Sequence, residues 1–107
     1  MDRPGLTRMT KIEVVVAGDE AAAVESLFHA AGATGYTAVS GVSGLGHHGH
    51  HQGRLLFNQQ ATLRLLITVL PDEKVDALVT GLRQLLGQTS GVMFVSETHV
   101  SRPEYFG

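Results

Sequence analysis

Apolar positions along the chain change their period in a regular order. "KIEVVVAG", Lys11 to Gly18, is a short β-branched run that stops at Gly-Asp, the pattern of a strand. "DEAAAVESLFHAAG" then sets Val24, Leu27, Phe28 and Ala31 at i, i+3, i+4 and i+7, which predicts an amphipathic helix with Asp19 as N-cap and Gly32 as stop. "TGYTAVSGV", from Thr34, is β-prone again. "ATLRLLITVL" predicts a third strand, in which Leu63, Leu65, Ile67 and Val69 alternate with Arg64, Leu66, Thr68 and Leu70. In "PDEKVDALVTGLRQLLG", Val75, Leu78, Val79, Leu82, Leu85 and Leu86 share one helical face, with Asp72 as cap and Gly87 as end. "GVMFVSETHV", Gly91 to Val100, closes the series as a fourth strand.

The order is βαββαβ, which predicts an α+β, ferredoxin-like fold: an antiparallel sheet with both helices on one face. The other face must meet water or a partner. A third strand that is apolar on both sides points to a subunit interface. The 107 residues form a single domain with no linker and no repeat beyond the two βαβ halves, and residues 1–10 read as a loose extension.

Composition narrows the function. With 43% hydrophobic and 17% charged residues the chain is an ordinary globular protein rather than a disordered one. A net charge of −2 gives no electrostatic footprint for nucleic acid, so that partner is not expected. The absence of cysteine removes disulfides, thiol catalysis and cysteine-based metal sites together. "MDRPGLTRMT" lacks the apolar core of a signal peptide, and no apolar run approaches the roughly 18 residues of a membrane span, so a cytoplasmic protein is expected.

Catalytic chemistry is poorly represented, and no enzyme is expected. Glu13, Asp19, Glu20, Glu25, Asp72, Glu73 and Asp76 fall on strand surfaces or helix starts, where solvation or the helix dipole explains them. None of Ser40, Ser43, Ser90, Ser96 and Ser101 sits in a Gly-x-Ser-x-Gly elbow. His29 and His99 read as face or edge residues. The glycine-rich stretches carry more. Gly41, Gly44, Gly46, Gly49 and Gly53 allow positive φ and close approach of a ligand, and "GQTSG", Gly87 to Gly91, offers successive backbone N–H groups and two hydroxyls for an anion. "HHGHH" brings His47, His48, His50 and His51 together as a compositional metal binder, without the carboxylate or cysteine that would complete a shell.

Taken together these segments resemble the PII signalling family. "TGYTAVSGVSGLGHHG" is similar to that family's second strand and T-loop entry, with Thr34-Gly35-Tyr36-Thr37 for its Thr-Gly-x-Thr and Gly44-Leu45-Gly46 for its Gly-Phe-Gly. "VLPDEKVDALVTGLRQLL" is similar to its third strand and second helix, and "GVMFVSETHVSR" to its B-loop exit, last strand and closing arginine. The resemblance covers about residues 11 to 102. It implies a homotrimer with adenine nucleotides in the clefts between subunits, a T-loop over 41–60 that reports ligand state to a target, and a short B-loop over 87–91.

By that resemblance Thr37 would meet the adenine and Val69 would give it main-chain contacts. Gly44, Leu45, Gly46 and His47 would lie over the phosphates, Gly87, Gln88, Thr89, Ser90 and Gly91 would cradle them from below, and Arg102 would supply charge from its own or a neighbouring subunit. Departures from the pattern refine the expectation. The B-loop lysine that pairs with ATP falls at Val92, which favours ADP or AMP. The lysine and glutamine associated with 2-oxoglutarate fall near Leu63 and His48, and no tyrosine for uridylylation lies between Gly46 and Leu63. The short chain and the glycine- and histidine-rich loop look most like the carboxysome-associated PII-like proteins. That branch implies bicarbonate as a second ligand, with Ser43 and Arg102 as its contacts, and a membrane transporter for inorganic carbon, or another protein, as the T-loop's target. The alternative is a metal-responsive protein of the same fold using His47, His48, His50 and His51.

Overall fold

In the computed structural model, residues 4–43 and 63–107 are described. β1 (Thr7–Ala17) runs inside a four-stranded sheet of order β2-β3-β1-β4, with β2 at Thr37–Val42, β3 at Leu63–Leu70 and β4 at Val92–Val100. Every pairing is antiparallel. The helices α1 (Ala21–Ala30) and α2 (Val75–Leu86) join the sheet in one core, so the expected α+β, ferredoxin-like arrangement is the one observed. Residues 7–10 are a correction to the expected loose extension. They are paired strand, with Thr7 opposite Val100 and Thr10 opposite both Glu97 and Leu70. Their polar character disguised them, because Arg8 and Thr10 serve as partners for Asp72 rather than as core.

Alternation along β1 sends Ile12, Val14 and Val16 to the helices, where they are buried with Leu66 and Leu70 of β3. Ala21, Val24 and Phe28 of α1 and Leu78 and Leu82 of α2 complete this cluster. Each such Leu, Ile or Phe contributes about 1.5–3 kcal/mol relative to exposure. The helices approach closely at Gly81, where a Cβ would lie 3.1 Å from Leu27 Cδ2.

Both expected helix caps are corrected. Asp19 lies within a 3-10 turn, Gly18–Glu20, that leads into α1, and Asp72 within another, Asp72–Lys74, before α2; neither helix has a side-chain cap. The Asp72 carboxylate instead accepts from Arg8 at 2.7 Å and from the Thr10 hydroxyl at 2.8 Å, which ties α2 to the start of β1. Gly32 does end α1, in the left-handed region at φ 88°, and its carbonyl accepts from Lys74 Nζ at 2.8 Å.

Strand β3 is apolar on both sides, as expected, but its sides are distributed against the simple alternation. Leu66, Thr68 and Leu70, the set that includes the hydroxyl, face the helices; Thr68 is 2% exposed and satisfies its hydroxyl by donating to Gly35 O at 2.7 Å. Leu63, Leu65, Ile67 and Val69 therefore lie on the face without helices. By register Leu65 adjoins Val15 and Val39, and across β1 the same face continues to Val92, opposite Val15, and Phe94, opposite Glu13 and 55% exposed. Lys11 and Glu13 of β1 lie on the same face, 4.0 Å apart. Gly41, at φ 73°, carries the register shift between Ser40 and Val42, a bulge that a glycine accommodates, so residues 41 and 42 belong to β2 rather than to the loop.

Candidate functional site

Antiparallel pairing gives the sheet two ends of distinct content. At one end lie Ala17, Val42, Leu63 and Val92, preceded by 87–91 and followed on β2 by Ser43. At the other lie Thr7, Thr37, Val69, Leu70 and Val100, with Arg102 just beyond. The nine residues of β4 separate them, about 26 Å at 3.3 Å per step. The residues expected around the nucleotide thus fall into two groups, Gly87 to Gly91 at the first end and Thr37, Val69 and Arg102 at the second, and the expected bicarbonate contacts are divided likewise, Ser43 at the first end and Arg102 at the second. Within one chain Arg102 cannot reach the 87–91 loop. Gly44, Leu45, Gly46 and His47, together with His48, His50 and His51, lie outside the described residues.

The 87–91 loop departs from the expected anion cradle. The N–H groups of Gly87, Gln88 and Thr89 donate to Arg83 O, Leu85 O and Leu86 O at 3.0, 3.1 and 3.2 Å, which completes the end of α2. The Gly91 N–H donates to Thr89 Oγ1 at 3.1 Å. Four of the five amides are occupied in this way, leaving the Ser90 N–H and the hydroxyls for a ligand. Gly87 has an ordinary φ of −67°. Gly91 is a packing glycine, since a Cβ there would meet Val16 Cγ1 at 2.6 Å, Leu86 Cδ2 at 2.8 Å and Val15 O at 2.9 Å.

At the opposite end the connection from α1 to β2 carries groups that the sequence pattern did not single out. Tyr36 stacks at a tilt on buried Phe28, with ring centroids 5.9 Å apart. Its phenol donates to the Glu25 carboxylate, and this bond, aided by desolvation, holds its pKa above the ordinary value. Glu25, Phe28, His29, Ala33, Thr34, Gly35 and Tyr36 line a cavity of about 140 Å³. The Thr34 hydroxyl donates to Tyr105 O at 2.6 Å, and the Arg102 guanidinium sits over the Tyr105 ring, with Cζ 5.7 Å from its centroid. The motif Thr34-Gly35-Tyr36-Thr37 was the available signal for Thr34 and Tyr36; nothing in spacing pointed to Tyr105.

A charged cluster lies beside this end. Asp72 pairs with Arg8, which also approaches Glu97 at 4.0 Å, and Glu97 Oε2 lies 3.8 Å from His99 Nε2. The hydrogen bond from Thr10, then that from Arg8, holds the Asp72 carboxyl below its usual range. His99 Nε2 is buried without a hydrogen-bond partner. Among the described residues no group of three or more His, Cys, Asp or Glu is gathered as a metal site, and no helix is long and apolar enough to cross a membrane.

Comparison with known proteins agrees with this fold. The family model "Nitrogen regulatory protein P-II" matches residues 9–105. CPII, a nitrogen regulatory PII-like protein from Thiomonas intermedia K12 solved with ADP, AMP and bicarbonate, is 34% identical, with a TM-score of 0.80 over 94% of this chain and 95% of that one. The same protein solved with ADP and bicarbonate gives 33% identity and a TM-score of 0.81 over 95% and 97%. The B. subtilis GlnK–ATP complex, at 19% identity and a TM-score of 0.56 over 91% and 85%, shares the fold alone. No curated protein matches the chain's sequence.

Proposed function

We propose that this chain, which belongs to the nitrogen regulatory protein P-II family, is a non-enzymatic sensor that takes ADP or AMP, together with bicarbonate, into clefts between copies of itself. The division of the site between opposite ends of the sheet carries this reading. A nucleotide held at the Thr37, Val69 and Arg102 end of one copy meets the 87–91 loop only if a second copy docks head to tail, and such contacts close into a ring. A homotrimer answers both needs, because it also turns the open apolar face of the sheet inward.

The choice of ligand follows from charge. The 87–91 loop has no Lys or Arg and most of its amides are occupied, which favours one or two phosphates over three. Ser43 and Arg102 are the proposed contacts of bicarbonate. CPII, solved with ADP, AMP and bicarbonate, supports the same pair of ligands here. The bound state would be passed by the T-loop to a partner in the cytoplasm, of which a membrane transporter for inorganic carbon is the proposed example, by a change in affinity.

Calorimetry with ADP, with and without bicarbonate, tests the coupling. Tighter ADP binding in bicarbonate is expected, and by reciprocity ADP should tighten bicarbonate by the same factor. Equal ADP affinity in both would overturn it. Sedimentation should give a trimer; a monomer at micromolar concentration would overturn the shared cleft as well.

A further inference from the structure

What holds Arg102 is a turn that follows β4. Pro103–Tyr105 forms a 3-10 turn, closed by the Tyr105 N–H on Arg102 O and the Phe106 N–H on Pro103 O, both at 3.0 Å. The turn brings the Tyr105 ring against the Arg102 guanidinium, 5.7 Å from Cζ to centroid. A guanidinium that rests on an aromatic face keeps its N–H donors in the plane, directed past the ring. Among the described residues no carboxylate pairs with Arg102.

The turn is itself anchored. The Thr34 hydroxyl donates to Tyr105 O at 2.6 Å, across 71 positions of sequence. The next carbonyl, that of Gly35, is held by the buried Thr68 hydroxyl at 2.7 Å. A chain of contacts therefore runs from the core through the α1–β2 connection to the ring beneath Arg102, and the same connection leads into Thr37. Burial does not explain the aromatic side chain, because Tyr105 is 61% exposed.

We infer that Tyr105 and Thr34 are positioning residues for anion recognition: the ring holds the Arg102 side chain extended, and Thr34 fixes the turn so that the guanidinium faces a phosphate shared with a neighbouring copy. This rests on the nucleotide reading above. A stacked arginine has already given up much of its rotamer freedom, so less is lost when the phosphate binds.

The test is calorimetric titration of ADP and of adenosine, which lacks phosphates, into the wild-type protein and four variants. Tyr105→Leu and Thr34→Val are each expected to weaken ADP binding about two- to fivefold, the range of an exposed cation–π contact. Tyr105→Phe, which keeps the ring, should bind ADP as the wild type does, and adenosine affinity should be unchanged throughout. If Arg102→Ala weakens ADP binding while Tyr105→Leu and Thr34→Val do not, the positioning role is overturned and the nucleotide reading stands. If Arg102→Ala binds ADP like wild type, the nucleotide reading beneath it fails. Equal losses of ADP and adenosine in Tyr105→Leu would also overturn the inference, since a guanidinium acts only on phosphates.

Discussion

Arg102→Ala removes the only Lys or Arg between Gly87 and the C-terminal residue. A charge-assisted hydrogen bond contributes about 1.5–3 kcal/mol, so ADP affinity should fall roughly ten- to a hundredfold. Neighbouring donors compensate little, because four of the five amides in the 87–91 loop already serve the end of α2 or Thr89. A second variant, Ser90→Asp, sets a carboxylate in the exposed part of that loop and repels phosphate from the opposite side of the cleft. Alone, each variant should bind ADP weakly. Unfolded together in equal amounts and refolded as mixed assemblies, they should regain tight binding in roughly a quarter of the clefts, those that pair an intact loop end with an intact Arg102 end. Titration of the mixture with ADP reads this fraction as stoichiometry. No regained sites in the mixture would refute the assignment of the two ends to different copies, because a cleft built within one chain cannot be complemented.

Two further outcomes concern stability. Gly91→Ala forces a Cβ to within 2.6–2.9 Å of Val16, Leu86 and the Val15 carbonyl, and should lower stability by about 1–3 kcal/mol in urea unfolding; a wild-type midpoint would mean that the loop relaxes freely. Asp72 has a folded pKa depressed below 3.8, so its contribution is present above that value and is lost as pH falls through the folded value. Denaturant midpoints of wild type and Asp72→Asn should therefore differ at neutral pH and converge in acid, and a gap that does not depend on pH would exclude the Arg8 and Thr10 contacts as its source.

Period was enough to place the strands and helices, because alternation in β1 and the three-and-four spacing of Val24, Leu27 and Phe28 each leave one arrangement that buries them. It was not enough for β3. Leu63, Leu65, Ile67 and Val69 are as apolar as Leu66 and Leu70, and only the pairing with β1 decides which set meets the helices. Asp19 and Asp72 stand where caps stand in sequence, but capping depends on local geometry, and Asp72 found Arg8 and Thr10 more than sixty positions away. The glycines and hydroxyls of 87–91 have the composition of an anion loop, yet the last turn of α2 claims most of its amides. Arg102 is near that loop in number only, since an extended strand lies between them. The contact of Thr34 with Tyr105 was illegible for a related reason, as it joins the α1–β2 connection to the turn after β4, which no periodicity relates.

The sheet face without helices makes the state of the chain depend on how much of it is present. Leu65 and Ile67 are half-covered and Val92 and Phe94 exposed in a single copy, so in the proposed trimer folding and association would be linked by mass action and apparent stability should rise with protein concentration. On that reading a freshly made copy, still alone, would present a hydrophobic surface to every other protein around it. Lys11 and Glu13, 4.0 Å apart on β1 of that surface, would have to shed water against any ill-fitting partner. In the proposed assembly that cost would disfavour promiscuous stacking in the interval before the right neighbours arrive.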